Sequence, residues 1–298
     1  MDYEQFQNEL QQELEGKLSP GTEICPCQII RNNGVPFDAL KLRESEAFPY
    51  VIIYPNEYYD SYKEGKDIPQ IADQITALHQ SLPSQMGLDL ETVSNLEQVK
   101  DKILFKLVHF EKNAFLLADM PHLPYLDLAI VFYIAVDMPF YGMAGISINN
   151  THLSLWGVDA DTLWACAKKN TPLVLPPTLK DMAATITELA MERTEEALPW
   201  IPGMPKMLIL SNKKGFLGAS VILYDGLLEE IANQFQDDYY ILPSSTHEVI
   251  LLMSHDPEQK NDLEDMINSV NESEVDPTDI LSDHPYYFDR SLGRLIIP

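Results

Sequence analysis

The residue types that acyl transfer or metal chemistry requires lie closest together in Pro243-Ser244-Ser245-Thr246-His247-Glu248. Ser244 or Ser245 supplies a hydroxyl nucleophile and His247 a base, and Asp283 or Asp289 supplies the carboxylate that would orient the ring. Glu248 and His284 complete the candidate catalytic set. A hydrolase elbow sets its serine between glycines so that the backbone can turn sharply, and this stretch has none. The same residues also suit a tight turn, because Ser and Thr hydroxyls bond nearby main-chain groups and Pro presets φ. The missing glycines favour the turn.

Metal chemistry meets a similar obstacle. His247-Glu248 begins like a zinc-protease helix, but the position four beyond His247 is Leu251, so a second ligand is missing from that helical face. His247, His255 and His284, with Asp256 and Asp283, reach one ion only if the fold gathers them, which scattered histidines seldom achieve. Neither a Gly-x-Gly-x-x-Gly loop nor a Walker lysine occurs, and Lys213-Lys214-Gly215 reads as a solvated hairpin tip. No cofactor is therefore expected. Cys25, Cys27 and Cys166 fit neither a disulfide framework nor a redox pair, and free thiols suit a reducing compartment.

The candidate turn lies between two apolar strands, Tyr239 to Leu242 and Val249 to Met253. Upstream, Met207 to Leu210 and Ala219 to Tyr224 read as strands and Gly226 to Phe235 as a helix. Downstream, Asp256 is expected to cap a helix starting at Pro257, with Gln259 at the capping-box position. Leu263, Met266, Ile267 and Val270 would form its buried stripe. Tyr286 to Phe288 and Leu295 to Ile297 read as two closing strands.

The rest of the chain has the same mixed character. An amphipathic helix over residues 2 to 17 precedes strands at Ile24 to Arg31, Ala39 to Arg43 and Tyr50 to Tyr54, with Asn32-Asn33-Gly34 as a hairpin turn. A helix follows from Pro69 to about Leu82, and Tyr58, Tyr59 and Tyr62 before it read as packing residues. A strand near Ile103 to Val108 and a short helix near Glu111 to Ala118 end at Pro121-His122-Leu123-Pro124. Tyr125 to Val136 is expected as a central strand buried on both faces, partnered by Gly145 to Asn149. Asp159 should cap a helix that Pro172, Pro176 and Pro177 end, and a further helix should run from Leu179 to Leu198. The order implies an α+β fold, with mixed or mainly antiparallel sheets flanked by helices in two or three lobes. The expected divisions are an N-terminal lobe over residues 1–90, a central lobe over 91–198 and an acidic C-terminal lobe over 206–298. The Pro199 to Pro205 segment would mark the last boundary.

The formal net charge is −26, from 46 acidic and 20 basic residues. Nucleic-acid backbones and anionic lipid surfaces repel such a chain, so neither is an expected partner. The longest apolar run, Leu128 to Val136, is too short to span a bilayer, and Met-Asp-Tyr-Glu-Gln lacks the basic and apolar regions of a signal peptide. The expected location is the cytoplasm. From Glu229 to Arg290 sixteen residues are acidic and only Lys260 and Arg290 are basic, which concentrates the charge in one region.

Several stretches resemble a family of domain-of-unknown-function proteins from Gram-positive gut bacteria, often encoded near mobile elements. They are Gly218 to Tyr224, Tyr240 to Val249 with its Tyr-Ile-Leu-Pro-Ser-Ser-Thr-His-Glu-Val run, Leu281 to Arg290, and the earlier Pro124 to Tyr133 and Trp156-Gly157-Val158. The resemblance implies no activity and assigns no catalytic residue. Three expectations follow. The first is a cytosolic, non-enzymatic protein that binds a protein partner, possibly a basic one, through its acidic C-terminal lobe. The second is a hydrolase or metal-assisted enzyme using the Ser244 to Glu248 turn. The third is an acidic decoy that imitates nucleic acid.

Overall fold

A computed structural model describes residues 1–44, 50–86, 90–138, 142–194, 206–243, 245–253 and 260–298. The chain forms two compact units. The first comprises Met1–Arg31, Val35–Lys100 and Ala135–Ile146, and the second Asn32–Gly34, Asp101–Ile134 and Ser147–Pro298.

The first unit opens with α1 (Tyr3–Lys17). Asp2 accepts the Gln5 amide while the Gln5 side chain accepts the Asp2 amide, a reciprocal cap for two otherwise orphaned donors. Helical spacing then aligns Phe6, Leu10 and Leu14 in the core. Strands β1 (Glu23–Ile30), β2 (Pro36–Arg43) and β3 (Val51–Ile53) pair antiparallel in that order. Pro26 is tolerated because β1 is an edge strand. Alternation places Leu40 and Leu42 toward the helices, where they meet Phe6, Ile53 and, from α3 (Ile68–Met86), Ile71 and Ile75. Tyr58, Tyr59 and Tyr62 of α2 (Pro55–Lys63) pack on that core, the packing role expected of them. The short helices α4 (Leu90–Ser94) and α5 (Leu96–Val99) lead to the second unit.

There β4 (Ile103–His109) is followed by the one-turn helix α6 (Ala114–Leu117), β5 (His122–Tyr125) and most of β6 (Leu128–Met138), while the end of β6 from Ala135 and β7 (Gly142–Ser147) as far as Ile146 belong to the first unit. Strand β6 lies between β4 and β5, also pairs with β7, and is buried from Leu128 through Ile134, as expected of an apolar run covered on both faces. The Pro121 to Pro124 stretch does not simply end the preceding element. From His122 it forms edge strand β5, where Pro124 needs no ladder donor.

Helix α7 (Asn150–Trp156) precedes α8 (Ala160–Val174), which Asp159 caps through the Thr162 amide at 2.9 Å. Helix α8 runs through Pro172 and ends at Val174, before Pro176 and Pro177. Its polar Asn170 and Thr171 are buried against the open edge of β4. Asn170 Nδ2 donates to the Ile103 carbonyl at 3.1 Å, and Thr171 Oγ1 accepts the Phe105 amide at 3.1 Å. These side chains replace a missing strand.

The helix expected from Leu179 is preceded by a strand. β8 (Pro177–Asp181) pairs with β9 (Met207–Asn212), and α9 (Met182–Thr194) starts only where Asp181 accepts the Ala184 amide. A second correction concerns Ala219 to Tyr224. This run forms a buried 3-10 helix, Gly218–Leu223, because a short apolar segment has no periodicity that separates strand from buried helix. Next come α10 (Leu227–Phe235), β10 (Tyr239–Leu242), β11 (Val249–Leu252), α11 (Lys260–Ser273), β12 (Tyr286–Asp289) and β13 (Arg294–Ile296). The six strands run β13-β12-β10-β11-β9-β8, all antiparallel.

Alternation along β10 assigns its flanking helices. Tyr240 and Leu242 pack with Leu252 under Leu263 and Ile267 of α11. Tyr239 points the other way, stacks on Phe288 and donates its hydroxyl to the Leu228 carbonyl of α10. Helices α11 and α10 thus cover opposite faces of the sheet. The expected stripe on α11 is corrected: Leu263, Ile267 and Asn271 are buried, whereas Met266 and Val270 face outward. Asp256, Pro257 and Gln259 lie outside the described residues, as does the proposed boundary at Pro199 to Pro205. The α+β class and antiparallel sheets stand as expected.

Candidate functional site

The β10–β11 connection begins at buried Pro243, and Ser244 lies outside the described residues. Ser245 and Thr246 are only 8% and 5% exposed, so their polar atoms need partners inside the protein. Ser245 Oγ accepts the His247 amide at 3.0 Å and lies 3.4 Å from Glu248 Oε1. The Thr246 amide donates to the Asp279 carbonyl at 2.8 Å, and its own carbonyl accepts the Ala219 amide at 3.1 Å. The His247 carbonyl accepts the Ser211 hydroxyl at 2.7 Å. The turn is thereby tied to β9, to the 3-10 helix and to the Asp279 loop.

The His247 ring decides what this turn can do. Its Nδ1 accepts the Leu217 amide at 3.2 Å, which leaves the ring hydrogen on Nε2, facing Asp279 Oδ1 at 3.4 Å. Leu217 reaches this position at φ 52°, a left-handed conformation unfavourable for a branched side chain. A general base needs a free lone pair beside the nucleophile. Here the lone pair holds a main-chain amide, and the Ser245–His247 bond uses the histidine backbone instead of its ring. Gly218 completes the corner, since a Cβ there would lie 2.1 Å from Ser211 Oγ and 2.3 Å from the His247 carbonyl.

Asp283 and His284 occupy a separate network before β12. Asp283 Oδ2 accepts from Lys112 Nζ at 2.7 Å and lies 3.9 Å from His109 Nε2, while its Oδ1 accepts from Asn271 at 3.0 Å. Burial pushes the Asp283 carboxyl up, but Lys112, Asn271 and His109 together outweigh this and hold it below the usual range. His109 is held low, first by burial and then by Lys112. Its Nδ1 accepts the Lys112 amide, repeating the arrangement at His247. His284 Nδ1 is 3.0 Å from Glu264 Oε1, and its amide donates to Ser282 Oγ. Asp127 receives both the Ser282 hydroxyl, at 2.5 Å, and the Tyr286 hydroxyl, at 2.6 Å. Asp289 accepts the amides of Ser291 and Leu292 in the turn after β12.

The same region receives the Asn32-Asn33-Gly34 turn. Asn33, at φ 61°, donates its side-chain amide to the carbonyls of Pro277 and Ile280 and exchanges bonds with Asn113. Lys112, His109, Asn113, Asn271 and Asp127 were not singled out from sequence. Only Asn271 left a legible sign, as a polar residue four and eight positions beyond buried Ile267 and Leu263.

His255 lies outside the described residues. Among the described residues no group of three or more His, Cys, Asp or Glu is arranged to hold a metal ion, and His247 and His284 have different partners. Among the described residues no helix is long and apolar enough to cross a membrane. The described candidate residues therefore fix segments of the fold to one another, and none of the described histidines among them has a serine hydroxyl at its ring.

Comparison with known families places residues 3–290 in a family of unknown function (DUF5688), and the chain belongs to that family. Searches of curated proteins and of solved structures returned no match.

Proposed function

We propose that this member of a family without an assigned activity is a non-enzymatic protein that binds a basic protein segment through the outer face of α11. The observation that carries the reading is the outward position of Met266 and Val270, 47% and 36% exposed and four residues apart on one helical face. Asp262, Asp265, Glu272 and Glu274 are exposed on the same helix and just beyond it. An apolar centre with a charged rim is how protein interfaces combine desolvation with orientation. A mimic of nucleic acid would instead require an unbroken acidic face, which Met266 and Val270 interrupt.

A helix of 14 residues is only about 21 Å long, so its face supports a small, salt-sensitive contact. A cytosolic setting agrees with the three free thiols, Cys25, Cys27 and Cys166. The test is fluorescence anisotropy with a labelled amphipathic peptide of alternating lysine and leucine faces. Binding should weaken about tenfold in Met266→Ser/Val270→Ser. In Asp262→Asn/Asp265→Asn it should weaken and also lose much of its salt dependence. Equal affinity for the parent chain and both double variants would exclude α11 as the docking face.

A further inference from the structure

Glu23, Cys25 and Cys27 alternate along β1, so all three project from the face of the first sheet opposite the Leu40 and Leu42 core. That face is open: Ile52, the β3 neighbour of Lys41, is exposed on it, and both thiols are part-exposed. In an extended strand, residues two apart stand about 7 Å from one another. A disulfide requires about 3.5–4.5 Å between Cβ atoms, so the strand holds Cys25 and Cys27 too far apart for an internal disulfide. Two thiolate–metal bonds of about 2.3 Å, the length zinc makes with cysteine, set the sulfurs up to about 4.6 Å apart. Side chains leaning toward each other along the strand can meet that spacing. The backbone thus excludes S–S and suits S–metal–S.

The surroundings limit the number of ligands, and so the metal. Glu23 is committed elsewhere, since its Oε2 accepts from Arg43 Nη2 at 2.9 Å and from the Tyr50 hydroxyl at 3.2 Å. Its Oε1 accepts the Cys25 thiol, at 3.2 Å from the sulfur. This bond uses the thiol hydrogen, which metal ligation displaces, and not the sulfur lone pairs. Zinc takes four ligands, and among the described residues no group of three or more His, Cys, Asp or Glu is arranged to hold it. Cu(I) is selected by soft sulfur and is satisfied by two thiolates. Such a complex carries one net negative charge. Lys41, the ladder partner of Cys25, and Arg43, the partner of Glu23, stand beside it with the opposite sign.

We propose that Cys25 and Cys27 together bind one thiophilic monovalent ion, Cu(I), on the outer face of the first sheet. Each thiol releases its proton to solvent as its sulfur–copper bond forms, and the copper stays cuprous. Glu23 opposes that release, because its bond to the thiol holds Cys25 above the ordinary cysteine value. Binding should therefore strengthen as pH rises.

Anaerobic competition of the full chain against the Cu(I)–bicinchoninate complex tests this. The chain should withdraw an equimolar amount of copper, and X-ray absorption should show two sulfur neighbours. Cys25→Ser and Cys27→Ser should each weaken binding at least about hundredfold, whereas Cys166→Ser should leave it unchanged. Glu23→Gln keeps both thiols and should tighten binding at about pH 6, so the proposal stays testable should a serine variant fail to fold. Failure of the parent chain to withdraw copper would overturn the proposal. So would copper held as tightly by Cys25→Ser/Cys27→Ser, copper lost in Cys166→Ser, or an affinity that Glu23→Gln leaves unchanged or lowers.

Discussion

Replacing Gly218 with alanine tests whether the β10–β11 turn is held by close packing. The added Cβ would stand 2.1 Å from Ser211 Oγ, 2.3 Å from the His247 carbonyl oxygen and 2.9 Å from the Asn212 amide. Two of these neighbours are backbone, so rotation of one side chain cannot relieve the overlap. Ser211 would have to release the His247 carbonyl, a loss of about 1 kcal/mol, and forced expansion of a packed site costs about 1–3 kcal/mol more. The expected destabilisation is about 2–4 kcal/mol. Denaturant unfolding followed by tryptophan fluorescence measures it. Combining Gly218→Ala with Ser211→Ala should recover only part of the loss, because the carbonyl contact remains. A Gly218→Ala protein within about 0.5 kcal/mol of the parent would refute the packed-corner account.

Two further perturbations probe the Asp283 network. Asn33→Ala removes donors to Pro277 and Ile280 and leaves alanine at positive φ, so the same unfolding assay should show a loss of about 2–4 kcal/mol. Asn33→Gly, free of the backbone strain, should recover about 1 kcal/mol, and identical stabilities for the two variants would separate strain from the effect. The acid response follows from Asp283 and His109, both held low in the folded state. A depressed carboxyl adds stability above its unfolded pKa and loses it as pH falls through the lower folded value. A depressed histidine acts with the same sign at higher pH, since the unfolded state takes up its proton first. Stability should therefore fall from about pH 6.5 downward and fall again below about pH 4. Lys112→Met should flatten the lower step, measured as urea midpoints across a pH series; an unchanged or steeper step would contradict the role given to Lys112.

The parts of the fold that could be read from sequence are those governed by local chemistry. Asp159 and Thr162 begin α8 with bonds three residues apart, and β6 is apolar over a stretch long enough to require cover on both faces. The parts that could not be read depend on distant partners. Ala219 to Tyr224 has strand-like composition, but Gly218 brings it against Ser211 and His247, where a helical turn fits. Leu179 looks helical until β9 pairs with it. At the candidate site, Ser245 and His247 suggested chemistry because of their types, whereas the use of those atoms was set by Leu217 and Asp279, neither of which was singled out for that turn.

The same dependence on partners changes the meaning of the acidity. Asp279 faces the His247 ring, Asp283 holds Lys112 and Asn271, Asp238 anchors Arg290, and Asp289 closes a turn over Ser291 and Leu292. These carboxylates count toward the net charge of −26 but are engaged in internal bonds. Asp262, Asp265, Glu272 and Glu274 are exposed instead, and they border Met266 and Val270. Charge alone would attract any cation at long range and fade within about 10 Å at ordinary salt. On the proposed reading of α11, selectivity for one basic partner would therefore come from the apolar pair, whose burial requires a matching surface within contact distance. The acids would then set how fast a partner arrives, and Met266 with Val270 which partner stays.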